Sequence, residues 1–271
     1  MAELKTSLVQ CDLRWEDPKA NHAHLETLLG ELDGRDTDLI VLPEMFATGF
    51  TMNSREMAQP MEQSGSVAWL SEQAKARGCV LTGSVAINEQ GEYFNRMIWA
   101  TPDGDIEHYD KRHLFRMAGE HERYGMGHGR KLVELKGFRI LLSVCYDLRF
   151  PVWSRQQPSE GEHFEYDALV CVANWPAPRR NPWRTLLQAR AVENLSYVIG
   201  VNRVGEDAKG LGYSGDSMLV DFKGEPLIDR PRDTAFIETG VLDKAALDEF
   251  REKFPAWQDA DRFELLPGVG Q

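Results

Sequence analysis

The 271-residue chain has no excess of positive charge, since 31 lysines and arginines stand against 43 aspartates and glutamates, for a formal charge of −12. A nucleic-acid binder needs a basic face to displace counterions, so no nucleic-acid partner is expected. Long apolar runs are also missing. The longest, around residues 39–42, 140–145 and 168–173, fall far short of the roughly 18 residues that a membrane span requires, so no membrane partner is expected either. The opening Met1-Ala2-Glu3-Leu4-Lys5 lacks a basic segment leading into an apolar one, which argues against a secretory signal and for a cytoplasmic protein. Cysteine is sparse. Cys11, Cys79, Cys145 and Cys171 are far apart and form no C-x-x-C pair, a distribution that speaks against a zinc site or a disulfide framework and leaves reduced thiols as the default. No Pro- or Ser-rich linker divides the chain and no repeat of about 20 to 50 residues recurs. The reading is one domain over 1–271, with 255–271 as a C-terminal tail.

Strand-like and helix-like segments alternate throughout, the pattern of strands covered by helices in an α/β fold. A β-rich run at 4–13 precedes a stripe of Leu25, Leu28, Leu29 and Leu32 at helical spacing, with Gly34 as its stop. Residues 38–42 form a short apolar run closed by Pro43, as expected of a buried strand. A helix at 64–78 leads into a strand at 79–87, and strands at 96–101 and 106–109 flank a Pro102-Asp103-Gly104 turn. Beyond a glycine-rich stretch at 115–130, strands are expected at 131–135, 138–144, 166–173, 197–202, 217–222 and 234–242. A helix at 182–194 turns Leu186, Leu187, Ala191 and Val192 inward, Lys223-Gly224-Glu225 makes a hairpin turn, and a last helix puts Leu247, Phe250 and Phe254 on one face.

Three reactive side chains each end an apolar run: Glu44 after Asp38-Leu39-Ile40-Val41-Leu42-Pro43, Lys111 after Ile106-Glu107-His108-Tyr109-Asp110, and Cys145 after Arg139-Ile140-Leu141-Leu142-Ser143-Val144. Open α/β folds gather their chemistry at the carboxyl ends of strands. Singly, each has an ordinary role, because free cysteines are mostly packing residues and lone carboxylates and lysines mostly surface charges. Together they point to acyl transfer. A thiol attacks an amide carbonyl while a carboxylate takes the thiol proton, and an ammonium with the backbone N–H of Tyr146 holds the oxyanion. The carboxylic acid then protonates departing ammonia, and water later hydrolyses the thioester, with no metal or cofactor needed. A polar turn after Cys145 leads toward a helix whose N-terminal amides are expected to favour the thiolate.

The segments Leu42-Pro43-Glu44-Met45-Phe46, Tyr109-Asp110-Lys111-Arg112-His113-Leu114-Phe115 and Val144-Cys145-Tyr146-Asp147-Leu148-Arg149-Phe150-Pro151 resemble the signatures of the nitrilase, or carbon-nitrogen hydrolase, superfamily. Their order matches that family, as do Ala173-Asn174-Trp175-Pro176, Ala189-Arg190-Ala191-Val192-Glu193-Asn194 and Asn202-Arg203. The resemblance spans the first strand to at least Pro226. It implies a single-domain four-layer α-β-β-α sandwich, commonly a homodimer, with Glu44 as general base, Lys111 as oxyanion stabiliser and Cys145 as nucleophile. It also implies a further carboxylate between Lys111 and Cys145, for which Glu120 is preferred over Glu122 from its distance before Cys145. Within the superfamily the chain is most similar to bacterial ω-amidases, notably in 110–117, 145–155 and 251–261. That likeness implies hydrolysis of the terminal amide of a small 2-oxo acid monoamide, 2-oxoglutaramate or 2-oxosuccinamate. The alternatives are another nitrilase-type amidase, an N-carbamoyl amidohydrolase, or a non-catalytic binding protein. An anionic substrate calls for a local cation, and Arg116, Arg149 and Arg179 lie beside the signatures. The candidate substrate-binding set is Arg149 with Phe46, Phe115 and Trp175 as walls.

Overall fold

The computed structural model describes residues 2–32, 36–159 and 161–265. The first half carries β1 (Glu3–Gln10), α1 (Pro18–Leu29), β2 (Leu39–Val41), α2 (Ser54–Met57), β3 (Gln59–Pro60), α3 (Gly65–Arg77), β4 (Val80–Glu89), β5 (Glu92–Ala100) and β6 (Ile106–Asp110). The second carries β7 (Leu132–Leu135), β8 (Phe138–Val144), α4 (Pro151–Ser154), β9 (Ala168–Ala173), α5 (Arg180–Asn194) and β10 (Tyr197–Asn202). It ends with β11 (Val204–Glu206), β12 (Gly212–Ser214), β13 (Met218–Val220), β14 (Pro226–Asp229), β15 (Phe236–Asp243) and α6 (Lys244–Lys253).

Most strands form two mixed sheets, one in the order β15-β1-β2-β4-β5-β6 with β3 beside β4, the other β14-β13-β10-β9-β8-β7, and β11 and β12 form a separate two-stranded sheet. Each mixed sheet has a parallel centre, β1-β2-β4 and β8-β9-β10. Side chains alternate across a strand, and the first sheet uses both faces. Leu4, Leu8, Leu39, Val41, Val80, Met97 and Trp99 meet the second sheet in one core. Val9, Ile40, Leu81, Val85 and Ile98 point the other way, into a core shared with Leu25 and Leu29 of α1 and Val67, Leu70 and Ala74 of α3. On the far side of the second sheet α5 supplies Trp183, Leu187 and Ala191 and α6 supplies Leu247. The result is the α-β-β-α sandwich that the resemblance implies.

Helix ends follow local chemistry. Asp17 caps α1 by accepting from Ala20 N–H at 3.0 Å, with Pro18 in the first turn, where no N–H partner is needed. Ser64 caps α3, which ends at Gly78 with φ 65°, a left-handed conformation that favours glycine. Two expectations need correction. Val192 is 52% exposed, because only Trp183, Leu187, Arg190, Ala191 and Asn194 of α5 lie on its buried stripe. Phe254 falls one residue past α6 and is also exposed. Gly34, the expected helix stop, and the tail from 266 onward lie outside the described residues. Among the described residues no helix is long and apolar enough to cross a membrane.

Candidate active site

The two sheets bring the ends of β2, β6, β8 and β9 to one edge. β2 runs through Leu42 and Pro43 to Glu44, where Met45 adopts φ 44° and its N–H donates to Ser84 Oγ at 2.8 Å. β6 delivers Lys111, whose backbone N–H donates to the Asn95 carbonyl on β5 at 3.0 Å. β8 delivers Cys145, itself at φ 48°, as the first residue of a 3-10 turn, Cys145–Arg149. Such a backbone is costly for a side-chain-bearing residue and is a common mark of functional turns. Asp147, 1% exposed, ties these segments together. Its carboxylate accepts from Val144 N–H at 3.0 Å, His113 N–H at 2.8 Å and the Tyr109 hydroxyl at 2.8 Å. Arg190 of α5 adds a bond to the Leu148 carbonyl at 2.6 Å.

Glu44, Lys111 and Glu120 are each wholly buried. Lys111 Nζ donates to Glu44 Oε1 at 2.9 Å and to Glu120 at 3.0 Å (Oε1) and 2.9 Å (Oε2), above the face of Phe50 at 5.0 Å. Glu120 Oε2 also accepts from Phe115 N–H at 2.6 Å. Glu44 Oε2 accepts from Asn174 N–H at 2.7 Å, and the Asn174 side-chain amide donates to the Glu44 carbonyl. Asn95 Nδ2 donates to Oε1 of both carboxylates, at 2.8 Å for Glu44 and 3.2 Å for Glu120. The Glu122 side chain is 67% exposed, so of the two acids weighed from sequence only Glu120 reaches Lys111.

Burial opposes the charge on Lys111, yet the Glu120 and Glu44 carboxylates overcome it and hold the ammonium well above its ordinary range. Glu120 is pushed up by burial, with Lys111 opposing. The Cys145 thiol is pushed up by burial and next by the Glu44 carboxylate, while Lys111 works the other way. The expectation of a thiolate favoured by helix amides is therefore corrected. At rest the sulfur keeps its proton, because a dry site with two carboxylates against one ammonium disfavours another negative charge.

Cys145 is 8% exposed, against 0% for Cys11 and Cys171 and 3% for Cys79, and it opens into a cavity of about 150 Å³. Phe50, Phe115, Tyr146, Asn174 and Trp175 line its depth, and Arg149, Arg179 and Lys209 its rim. Arg149 stacks on Trp175 at 5.1 Å and Arg179 on Phe115 at 5.2 Å, and neither makes an ion pair among the described residues. Asp207 is the rim's acid, and it accepts from Lys209 N–H, Leu211 N–H and the Tyr213 hydroxyl of its own hairpin. Of the substrate-binding residues proposed from sequence, Phe115, Arg149 and Trp175 border this cavity. Phe46 does not. It is wholly buried on the helix side of the first sheet, 5.6 Å from the Trp69 ring, and is no part of the cavity. Arg116 is exposed and also outside it. The β11–β12 hairpin, with Asp207, Lys209, Leu211 and Tyr213, was not legible from sequence, since its strands are three residues each and glycine-rich. Among the described residues no grouping of three or more His, Cys, Asp or Glu side chains is arranged to hold a metal ion.

The carbon-nitrogen hydrolase family model matches residues 5–252. The chain is 47% identical to an ω-amidase YafV of Yersinia enterocolitica, over 98% of this chain and 100% of that one. It is 30% identical to a 2-oxoglutaramate amidase of Bacillus subtilis, over 93% and 96%. It superposes with a TM-score of 0.93, at 46% identity and over 98% and 100% of the two chains, on the crystal structure of a Xanthomonas campestris CN-hydrolase superfamily protein with an arsenic adduct in its active site.

Proposed function

Since the chain belongs to the carbon-nitrogen hydrolase family, we propose that it is a cysteine-dependent ω-amidase that cleaves the terminal amide of 2-oxoglutaramate or 2-oxosuccinamate to the 2-oxo dicarboxylic acid and ammonia. The observation that carries the reading is the burial of Glu44, Lys111 and Glu120 in one hydrogen-bonded cluster beside Cys145, which itself borders a cavity also lined by Arg149, Arg179 and Lys209. The relatives named as ω-amidase and 2-oxoglutaramate amidase support the substrate class.

In this reading the Cys145 S–H bond breaks as its proton passes to Glu44, and the sulfur forms a bond to the amide carbon. The carbonyl π pair moves onto oxygen, facing the Lys111 ammonium and the Tyr146 N–H. Collapse breaks the C–N bond while Glu44 returns its proton to nitrogen, so ammonia leaves and a thioester remains. Water then attacks the thioester, giving one proton to Glu44, and the released thiolate regains that proton. Glu120 holds Lys111 throughout, because a buried ammonium needs permanent counter-charge.

Arg149 and Arg179 are the guanidinium groups available at the rim for the substrate's carboxylate, and Arg149, inside the cysteine turn, is the clamp we infer. Arg149→Leu should raise KM for 2-oxoglutaramate about tenfold or more, the usual loss for a charge-assisted pair, with kcat changed far less. An uncharged aliphatic amide serves as control, and equal effects on both substrates would assign the clamp elsewhere. We also infer a homodimer acting in the cytoplasm. Sedimentation equilibrium at twice the chain mass is the expected result. The decisive test of function is ammonia release from 2-oxoglutaramate beside glutamine, a simple nitrile and an N-carbamoyl amino acid. Turnover of the 2-oxo amide alone is expected, turnover of another compound would move the substrate, and silence from all four would overturn the enzymatic reading.

A further inference from the structure

Asn95 lies within β5 and is wholly buried. Its carbonyl receives the Lys111 N–H, one residue beyond the Arg96–Asp110 pair of the β5–β6 ladder, so strand pairing itself sets it beside the ammonium. Its side-chain amide is the neutral group that touches both carboxylates, giving Nδ2 to Oε1 of Glu44 and Oε1 of Glu120. The other end of that amide, Oδ1, is buried and has no partner among the described residues. A buried carbonyl without a donor is destabilising, so fold stability does not account for this orientation. The carboxylates do, because the reverse orientation would set Oδ1 against two negative oxygens.

Counting lone pairs gives this bond a consequence. Each carboxylate oxygen accepts two hydrogen bonds. On Glu44, Oε1 is filled by Lys111 Nζ and Asn95 Nδ2, whereas Oε2 accepts only the Asn174 N–H from the backbone and keeps one position open. We propose that Asn95 is a positioning residue for proton transfer: by filling Oε1 with Lys111, it makes Oε2 of Glu44 the oxygen that receives the Cys145 proton and later delivers it to the departing nitrogen. The S–H bond breaks, an O–H bond forms at Oε2, and the electron pair stays on sulfur to make the bond to carbon. The inference rests on the assignment of Glu44 as general base.

The titratable groups around Glu44 are Lys111, Glu120 and Cys145, the Tyr124 phenol in the loop after Glu120, Cys171 on β9 and Tyr213 on β12. Burial holds both tyrosines and Cys171 neutral. Arg96, the next residue of β5, is committed to Asp110 and Glu89. The test is the rate of Cys145 alkylation by iodoacetamide as a function of pH, located by peptide mass spectrometry, for wild type, Asn95→Ala and Asn95→Asp, with thermal melting in parallel. Loss of the neutral donor should move the acid-side inflection up by about one pH unit in Asn95→Ala. Asn95→Asp, which is isosteric and so serves if the alanine variant does not fold, should move it further, because a third carboxyl beside Glu44 and Glu120 retains the proton. A role in stability alone lowers the melting temperature and leaves the inflection where it was, and an unmoved inflection in a folded variant overturns the proposal. Alkylation requires no knowledge of the substrate, so this inference and the amidase reading fail independently.

Discussion

Cys145→Ala should reduce ammonia release from 2-oxoglutaramate to background, a loss on the order of 10⁴-fold or more, since no other group can form the acyl intermediate. The fold should survive. The side chain loses one sulfur at the floor of a cavity it already borders, and the turn geometry is held by Asp147 and Arg190 rather than by the thiol. The three remaining cysteines are more deeply buried, with Cys11 pushed up to about 12 and Cys79 to about 11 by desolvation, so none offers a substitute nucleophile. Circular dichroism matching wild type with activity at background is the expected pair of results. Activity within tenfold of wild type would remove Cys145 as the nucleophile.

Lys111→Ala carries the second-largest effect, and it acts in two ways. Removing the ammonium that we propose holds the oxyanion is expected to cost about 10²- to 10³-fold in kcat. Removing the ammonium also leaves Glu44 and Glu120 facing each other, fully buried and without counter-charge. Breaking a buried ion pair by deleting one partner typically destabilises by about 3–5 kcal/mol, unless a carboxylate neutralises itself by taking a proton. Here a shared proton is the easier response, so activity should fall further than stability. A kcat loss of only about twofold, with normal melting, would make the lysine a structural residue only.

The positions of Glu44 and Cys145 were legible because each ends an apolar run short enough to be a buried strand, and that of Lys111 because it ends a short strand-like run, patterns that need no knowledge of the rest of the chain. Glu120 and Glu122 were not separable in that way. They lie two residues apart in a loop, and a single 3-10 turn buries one and exposes the other. Phe46 was misplaced for a related reason. Two residues after Glu44 in an extended strand it would share the face of the carboxylate, but Met45 at φ 44° turns the chain and sends Phe46 to the opposite side of the sheet, against Trp69 and Gly83. Asn95 was not legible, because the strand expected there began only at residue 96, whereas β5 begins at Glu92 and carries Asn95 inside it.

By itself the sequence determined most of the strands and helices and the side chains able to do acyl-transfer chemistry, because periodicity and turn chemistry act over a few residues. Tertiary structure decided which of those side chains meet. Glu44 and Lys111 are 67 residues apart in the chain and 2.9 Å apart in space, and their burial comes from stacking two sheets that neither segment encodes. Desolvation is a property of that stack, and it pushes the Cys145 thiol toward its protonated form.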